Sequence, residues 1–133
     1  MCGFHDAVQI IDGLPGIYAT SDLEEAKKYT QGNGAIMVFR KPDERGLAVW
    51  EPNLDEWNRL TANWIKIPLQ DITMPPRHRT ADIIVGPMSE DQHLARKQKR
   101  FPKQSGEMQM AFVSYRACER LRESLVAIIY VDT

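Results

Sequence analysis

Cysteine, histidine and surplus charge are all scarce in this chain, and each shortage removes a class of function. Its 133 residues hold two cysteines, Cys2 and Cys118, too few for a disulfide framework and without the second pair that a zinc site would need. Both are read as reduced thiols. His78, His93 and Asp91 do not stand at metal-ligand spacing, so no metal is assigned. A formal charge of −1 gives no overall attraction for nucleic acid or an anionic membrane, and any such contact must come from a local patch. No N-terminal apolar run follows a basic stretch, and no segment approaches the roughly 20 apolar residues of a membrane span. The expectation is a cytoplasmic protein with no membrane partner. Internal repeats and low-complexity tracts are absent too. What is there, 43% apolar and 26% charged residues, is the composition of one ordinary folded domain over residues 1–133.

Capping residues and apolar periodicity divide the chain into short strands and helices. Ser21-Asp22-Leu23-Glu24 has the form of a capping box, opening a helix that carries Leu23, Ala26 and Tyr29 inward. Gly32-Asn33-Gly34 ends that helix. Residues 35–39 then read as a buried strand, paired through the turn Lys41-Pro42-Asp43-Glu44 with residues 46–50. Asn53 begins a second helix, with Leu54, Trp57, Leu60 and Trp64 on one packing face. A strand over 81–85 stops at Gly86-Pro87, and 89–106 is polar loop or short helix. A strand over 108–113, an amphipathic helix over 115–123 and a final buried strand over 125–131 complete the chain. Helices are too few for a doubly wound sheet, which points to an α+β domain built on two small packed sheets.

Two tyrosines stand out against this background. Tyr18 ends the strand Gly16-Ile17-Tyr18, and Tyr29 returns on the helix that follows. Rings delivered from a strand end and a facing helix can sandwich a flat heterocycle, each stack adding about 0.5–1.5 kcal/mol beyond burial. Upstream, Gly3-Phe4-His5 places a histidine at the end of another short strand, followed by Asp6. Histidine, strand-end tyrosine and helix tyrosine in that order resemble the first two motifs of ADP-ribosyltransferases, in the diphtheria-toxin and poly(ADP-ribose) polymerase branch. A third resemblance lies in Gly106-Glu107-Met108-Gln109-Met110, where that family opens a late strand with a carboxylate; here Gln109 occupies the glutamate position. The segment Ala81-Asp82-Ile83-Ile84-Val85-Gly86-Pro87 resembles one that recurs in a less characterised microbial group of the same superfamily.

The resemblance implies an ADP-ribosyltransferase-like fold with an NAD cleft between its two sheets. It implies NAD as substrate, Tyr18 and Tyr29 clamping nicotinamide, His5 on the adenosine ribose and backbone beside it, at Asp6, on the amide. Gln109 and Glu107 would face the reacting centre; two apart on a strand, they share a side. The bond to be broken passes through an oxocarbenium-like state that a carboxylate stabilises. A glutamine bonds a hydroxyl but offsets no charge. Three readings follow: a mono-ADP-ribosyltransferase, an inactive module binding NAD, ADP-ribose or a protein, and an NAD glycohydrolase. The basic run Arg96-Lys97-Gln98-Lys99-Arg100-Phe101 lies where the family carries its acceptor-recognition loop. The acceptor itself is open, a protein being favoured over nucleic acid.

Overall fold

Runs of β-branched and apolar residues, each too short to stand alone, gather into two sheets of unequal size. The computed structural model describes residues 9–11, 14–28, 33–70 and 72–132; His5, Asp6 and Tyr29 lie outside them. Within the described residues the fold is α+β. Its strands are β1 (Gln9–Ile11), β2 (Leu14–Ala19), β3 (Asn33–Phe39), β4 (Val49–Trp50), β5 (Ile83–Glu90), β6 (Lys103–Phe112) and β7 (Leu125–Asp132). The helices are α1 (Leu23–Lys28), α2 (Leu54–Trp64), α3 (Gln92–Gln98) and α4 (Tyr115–Glu123), with a 3-10 turn at Pro76–Arg79. The larger sheet runs β1-β2-β6-β5-β4, antiparallel except where β4 meets β5, and β3 pairs with β7 in a separate ribbon. Among the described residues no helix is long and apolar enough to cross a membrane, and no cluster of metal-binding side chains occurs.

Register sorts the side chains onto two faces. Tyr18 lies opposite Ala111, Ala111 opposite Ile84 and Ile84 beside Trp50, one row across four strands. Leu60 and Trp64 of α2 pack against this row. The alternate positions Ala19, Ile83 and Phe112 face the other way, onto Ala117 and Leu121 of α4 and onto Phe39 of β3. Period-two alternation thus sends consecutive residues into different cores.

Polar side chains fix where the helices begin. Asn53 accepts from the Glu56 N–H while the Glu56 carboxylate accepts from the Asn53 N–H, a complete capping box for α2. The box expected at Ser21 and Glu24 does not form. Asp22 caps α1 instead, accepting from Glu24 and Glu25 N–H at 2.9 and 3.3 Å, while Glu24 pairs with Lys27. One residue's shift in the helix start accounts for the difference.

Asp82 ties the layers together. Its carboxylate accepts from the Ala48 N–H at 2.7 Å, from Arg116 Nε and Nη2 at 2.8 and 2.6 Å, and from the Ser114 hydroxyl. Ser114 in turn caps α4 by accepting from the Ala117 N–H. The Arg116 guanidinium beside it holds the Asp82 carboxyl down at about 2.

Three expectations change. Residues 46–50 do not pair with β3: Val49 and Trp50 run parallel to Ile83 and Ile84, and β3 takes β7 as partner. Gly86-Pro87 does not stop β5, because a register shift between Pro87 and Ser89 absorbs the missing N–H. The last strand is not buried. Val126, Ile128 and Tyr130 on it are 53%, 43% and 80% exposed.

Candidate functional site

Small residues on the Tyr18 face of the sheet leave a hollow beneath α2. Ala111 and Gly86 occupy the two inner strands, where larger side chains would fill the space. The opening that results is a cavity of about 300 Å³. Its floor is two rows of the sheet, Tyr18–Ala111–Ile84 and Gln109–Gly86, with Thr20 beside the second. Its roof is α2, through Trp57, Leu60, Thr61 and Trp64. Met88, Ser89 and Gln92 close the side where β5 passes into α3. Among the described residues the lining comes from the larger sheet, from α2 and from the passage into α3, and none from β3 or β7.

The aromatic walls are held firmly. Trp64 stands edge-on to Tyr18, ring centres 6.2 Å apart and planes at 84°. Trp57 donates its indole N–H to the Pro87 carbonyl at 2.9 Å, which latches α2 to β5 beside its register shift with β6. A Cβ on Gly86 would lie 3.4 Å from the Trp57 ring, so nothing bulkier than alanine fits there without moving that wall. Burial pushes the Tyr18 phenol well above its usual range, and it remains neutral at any working pH.

Among the described residues, polar groups around the cavity are few and uncharged: none of its lining side chains is Asp, Glu, Lys, Arg or His. Thr61, only 6% exposed, and Gln109 line the cavity without a side-chain hydrogen bond among the described residues. Thr20 is already engaged: its hydroxyl donates to the Met108 carbonyl and accepts from the Asp22 N–H. The Trp64 indole N–H is buried without an acceptor among the described residues, which costs about 1–3 kcal/mol until one reaches it. Such a lining suits a flat, neutral group carrying hydrogen-bonding atoms on its edge.

No family model, curated protein or solved structure matches this chain. Its chemistry is read from the side chains alone.

Of the residues singled out in the sequence, the structure brings Tyr18 and Gln109 into the cavity. Glu107 is on the same sheet face as Gln109 but two residues on, about 7 Å along the strand, and outside the lining. It meets α1 there. A hydrogen bond shared with Asp22 raises the Glu107 carboxyl, whereas backbone N–H groups of α1 and that same bond lower Asp22. The pair holds one proton more readily than two separate carboxyls would.

The basic cluster occupies the far end of α3. Gln92 at its start lines the cavity and Arg96, the first basic residue, does not, so the cluster begins about 6 Å away along the helix. Arg96 donates to the Ile65 carbonyl at 3.2 Å, and Arg100 to Gln98 and to the Phe101 carbonyl. Lys97 and Lys99 are exposed, as is Phe101 at 41%.

Trp57, Trp64 and Thr61 were not read as site residues. Their helical spacing marks a buried face, and nothing in that spacing says whether the face covers a filled core or a hollow. Gly86 opposite Gln109 is the signal that distinguishes the two, and it becomes legible only once the register of β5 on β6 is known.

Proposed function

We propose that the cavity holds the nicotinamide end of NAD and that the chain, with an ADP-ribosyltransferase-like fold, is an NAD-dependent mono-ADP-ribosyltransferase. One observation carries this reading: Tyr18 and Gln109, from motifs 91 residues apart, line the same aromatic cavity. A volume of about 300 Å³ lies at the low end for ligand pockets, enough for a heterocycle and its adjoining sugar but not for a whole dinucleotide. The neutral lining suits the uncharged nicotinamide that leaves, while the aromatic walls attract the cationic ring of bound NAD, and the diphosphate lies outside. In the reaction the bond between nicotinamide nitrogen and ribose C1′ breaks, and the electron pair leaves with nicotinamide. An acceptor nucleophile then bonds C1′ and loses its proton. Tyr18 and the tryptophans hold the leaving group; Gln109 reaches for a ribose hydroxyl.

A second reading has its own support. Among the described residues the lining contains no carboxylate, and Glu107 is engaged with Asp22 at the edge of α1. A unit charge about 4 Å from the cation is worth about 4 kcal/mol at an effective dielectric near 20, so its absence slows turnover about a thousandfold. That favours a module that binds NAD or ADP-ribose and turns it over slowly. Incubation with NAD labelled on the adenylate half, scored for label on protein and for released nicotinamide, separates these. Label on protein supports transfer, nicotinamide alone supports hydrolysis, and binding without either supports the module. No binding at all rejects the NAD reading.

Two further outcomes are expected. Tyr18→Ala should weaken NAD binding by about 1–3 kcal/mol while Tyr18→Phe retains most of it, since the ring makes the contact. Calorimetric titration of both variants measures this, and equal affinity in Tyr18→Ala and the parent would remove Tyr18 from the site. Neutralising Arg96, Lys97, Lys99 and Arg100 together should abolish protein labelling and leave nicotinamide release nearly intact. Equal loss of both activities would mean that the cluster serves the fold, as the Arg96 bond to Ile65 allows.

A further inference from the structure

The second sheet poses a separate question. It has only two strands, and two-stranded ribbons are marginal in water unless something packs on them or extends them. Ile36 and Phe39 anchor β3 against the rest of the fold, but β7 is left outside. Among the described residues β7 pairs with β3 alone. Leu125, Val126, Ile128, Ile129 and Tyr130 on it are 38%, 53%, 43%, 39% and 80% exposed. Because neighbours on a strand face opposite sides, both faces of the strand are apolar and open.

Sheet edges normally carry devices that prevent self-pairing: lysine, proline, bulges or short length. Residues 125–131 have no charge, no proline and no glycine, and β7 is eight residues long. The single register shift in the ribbon leaves Val126 as an extra residue on β7, near one end, and β7 pairs regularly from Ala127 to Asp132.

We infer that β7 is a homodimer edge, at which a second copy of this chain adds its own β7 antiparallel, giving a four-stranded sheet in the order β3-β7-β7-β3. Three points select a second copy. A strand laid antiparallel on itself satisfies a twofold axis, here near Ile129 in the regular stretch of β7, so one uncharged surface is complementary to itself. With no charge between Leu125 and Val131, no like charges oppose each other anywhere along that register. The five side chains are 38% to 80% exposed on each copy, so pairing draws apolar groups of both copies together and partly out of water. This does not depend on the reading of the cavity, which contains no residue of β7.

Sedimentation equilibrium and light scattering of the full chain, from low to high micromolar, test the inference. The expected result is a reversible species of twice the 15.2 kDa monomer mass. Val126→Lys with Ile128→Lys should yield a monomer, and Leu94→Lys, at an exposed position on α3, should leave the dimer unchanged. Tyr130→Lys is the second variant, chosen because that side chain is 80% exposed and contributes little to the monomer's packing. It should raise the dimer dissociation constant at least tenfold with an unchanged circular dichroism spectrum. A parent chain that stays monomeric throughout the range overturns the inference. So does a dimer that survives both the double substitution and Tyr130→Lys.

Discussion

Asp82→Ala should destabilise the protein by about 3 kcal/mol and lower its melting temperature by roughly 10 °C, more than any other exchange of one polar side chain. The carboxylate is buried, 3% exposed, and accepts four hydrogen bonds that join β4, β5 and the start of α4. Truncation leaves the Ala48 N–H without its acceptor and uncouples Ser114 from the sheet. Arg116 has its side chain 63% exposed and returns to water cheaply, which limits the loss. The pH dependence follows from the lowered carboxyl. A group held near 2 in the folded chain, against 3.8 unfolded, contributes its full stabilisation above about pH 4 and loses it as pH falls through 2. The shift corresponds to roughly 2 kcal/mol. Asp82→Asn should therefore be less stable than the parent at pH 7, with the gap closing between pH 4 and pH 2. Urea melts of both proteins at each pH measure it, and a gap that stays constant would mean that the Arg116 pair contributes nothing.

Gln109→Glu is expected to leave NAD affinity within a few-fold and to raise nicotinamide release about tenfold or more, some 1.4 kcal/mol off the barrier. Charge stabilisation belongs to the transition state, so it belongs in turnover and not in binding. Glu107→Gln tests the alternative source of charge. If the carboxylate beside Asp22 serves the reaction, its loss should cut release sharply, and Gln109→Glu should help little because two carboxyls would then compete for one proton. If neither substitution alters release, while Tyr18→Ala still weakens binding, the chain is a binding module.

How much of this was legible in the sequence depends on what each signal measures. The helix over Tyr115–Glu123 and the Asn53 cap of α2 were read from local pattern, and local pattern decides them. The partner of β3 was not, because proximity in sequence favours residues 46–50, whereas the actual pairing to β7 is set by which hydrophobic faces must be covered. Tyr18 and Gln109 could be singled out as residue types in order. That α2 supplies the other wall could not, since Trp57 and Trp64 carry the same helical spacing whether they fill a core or roof a cavity. Asp82 was visible only as part of a recurring segment; its four bonds come from elements that lie 34 and 32 residues away on either side.

The pairing of Tyr18 with Ala111 also sets the order in which the site comes together and comes apart. These partners are 93 residues apart, while β5 and β6 meet across as few as 13, between Glu90 and Lys103. Closing the larger loop costs ~1–2 kcal/mol more, so the β5–β6 hairpin and its α2 cover should consolidate before β2 docks. The same inequality runs in reverse during native fluctuations. Amides of β2 should exchange with deuterium sooner than those of β5 and β6, since one wall of the cavity belongs to a less tightly held piece than the other. A ligand touching both pieces would fasten them to each other, and NAD should therefore slow exchange in β2 by a larger factor than in the hairpin.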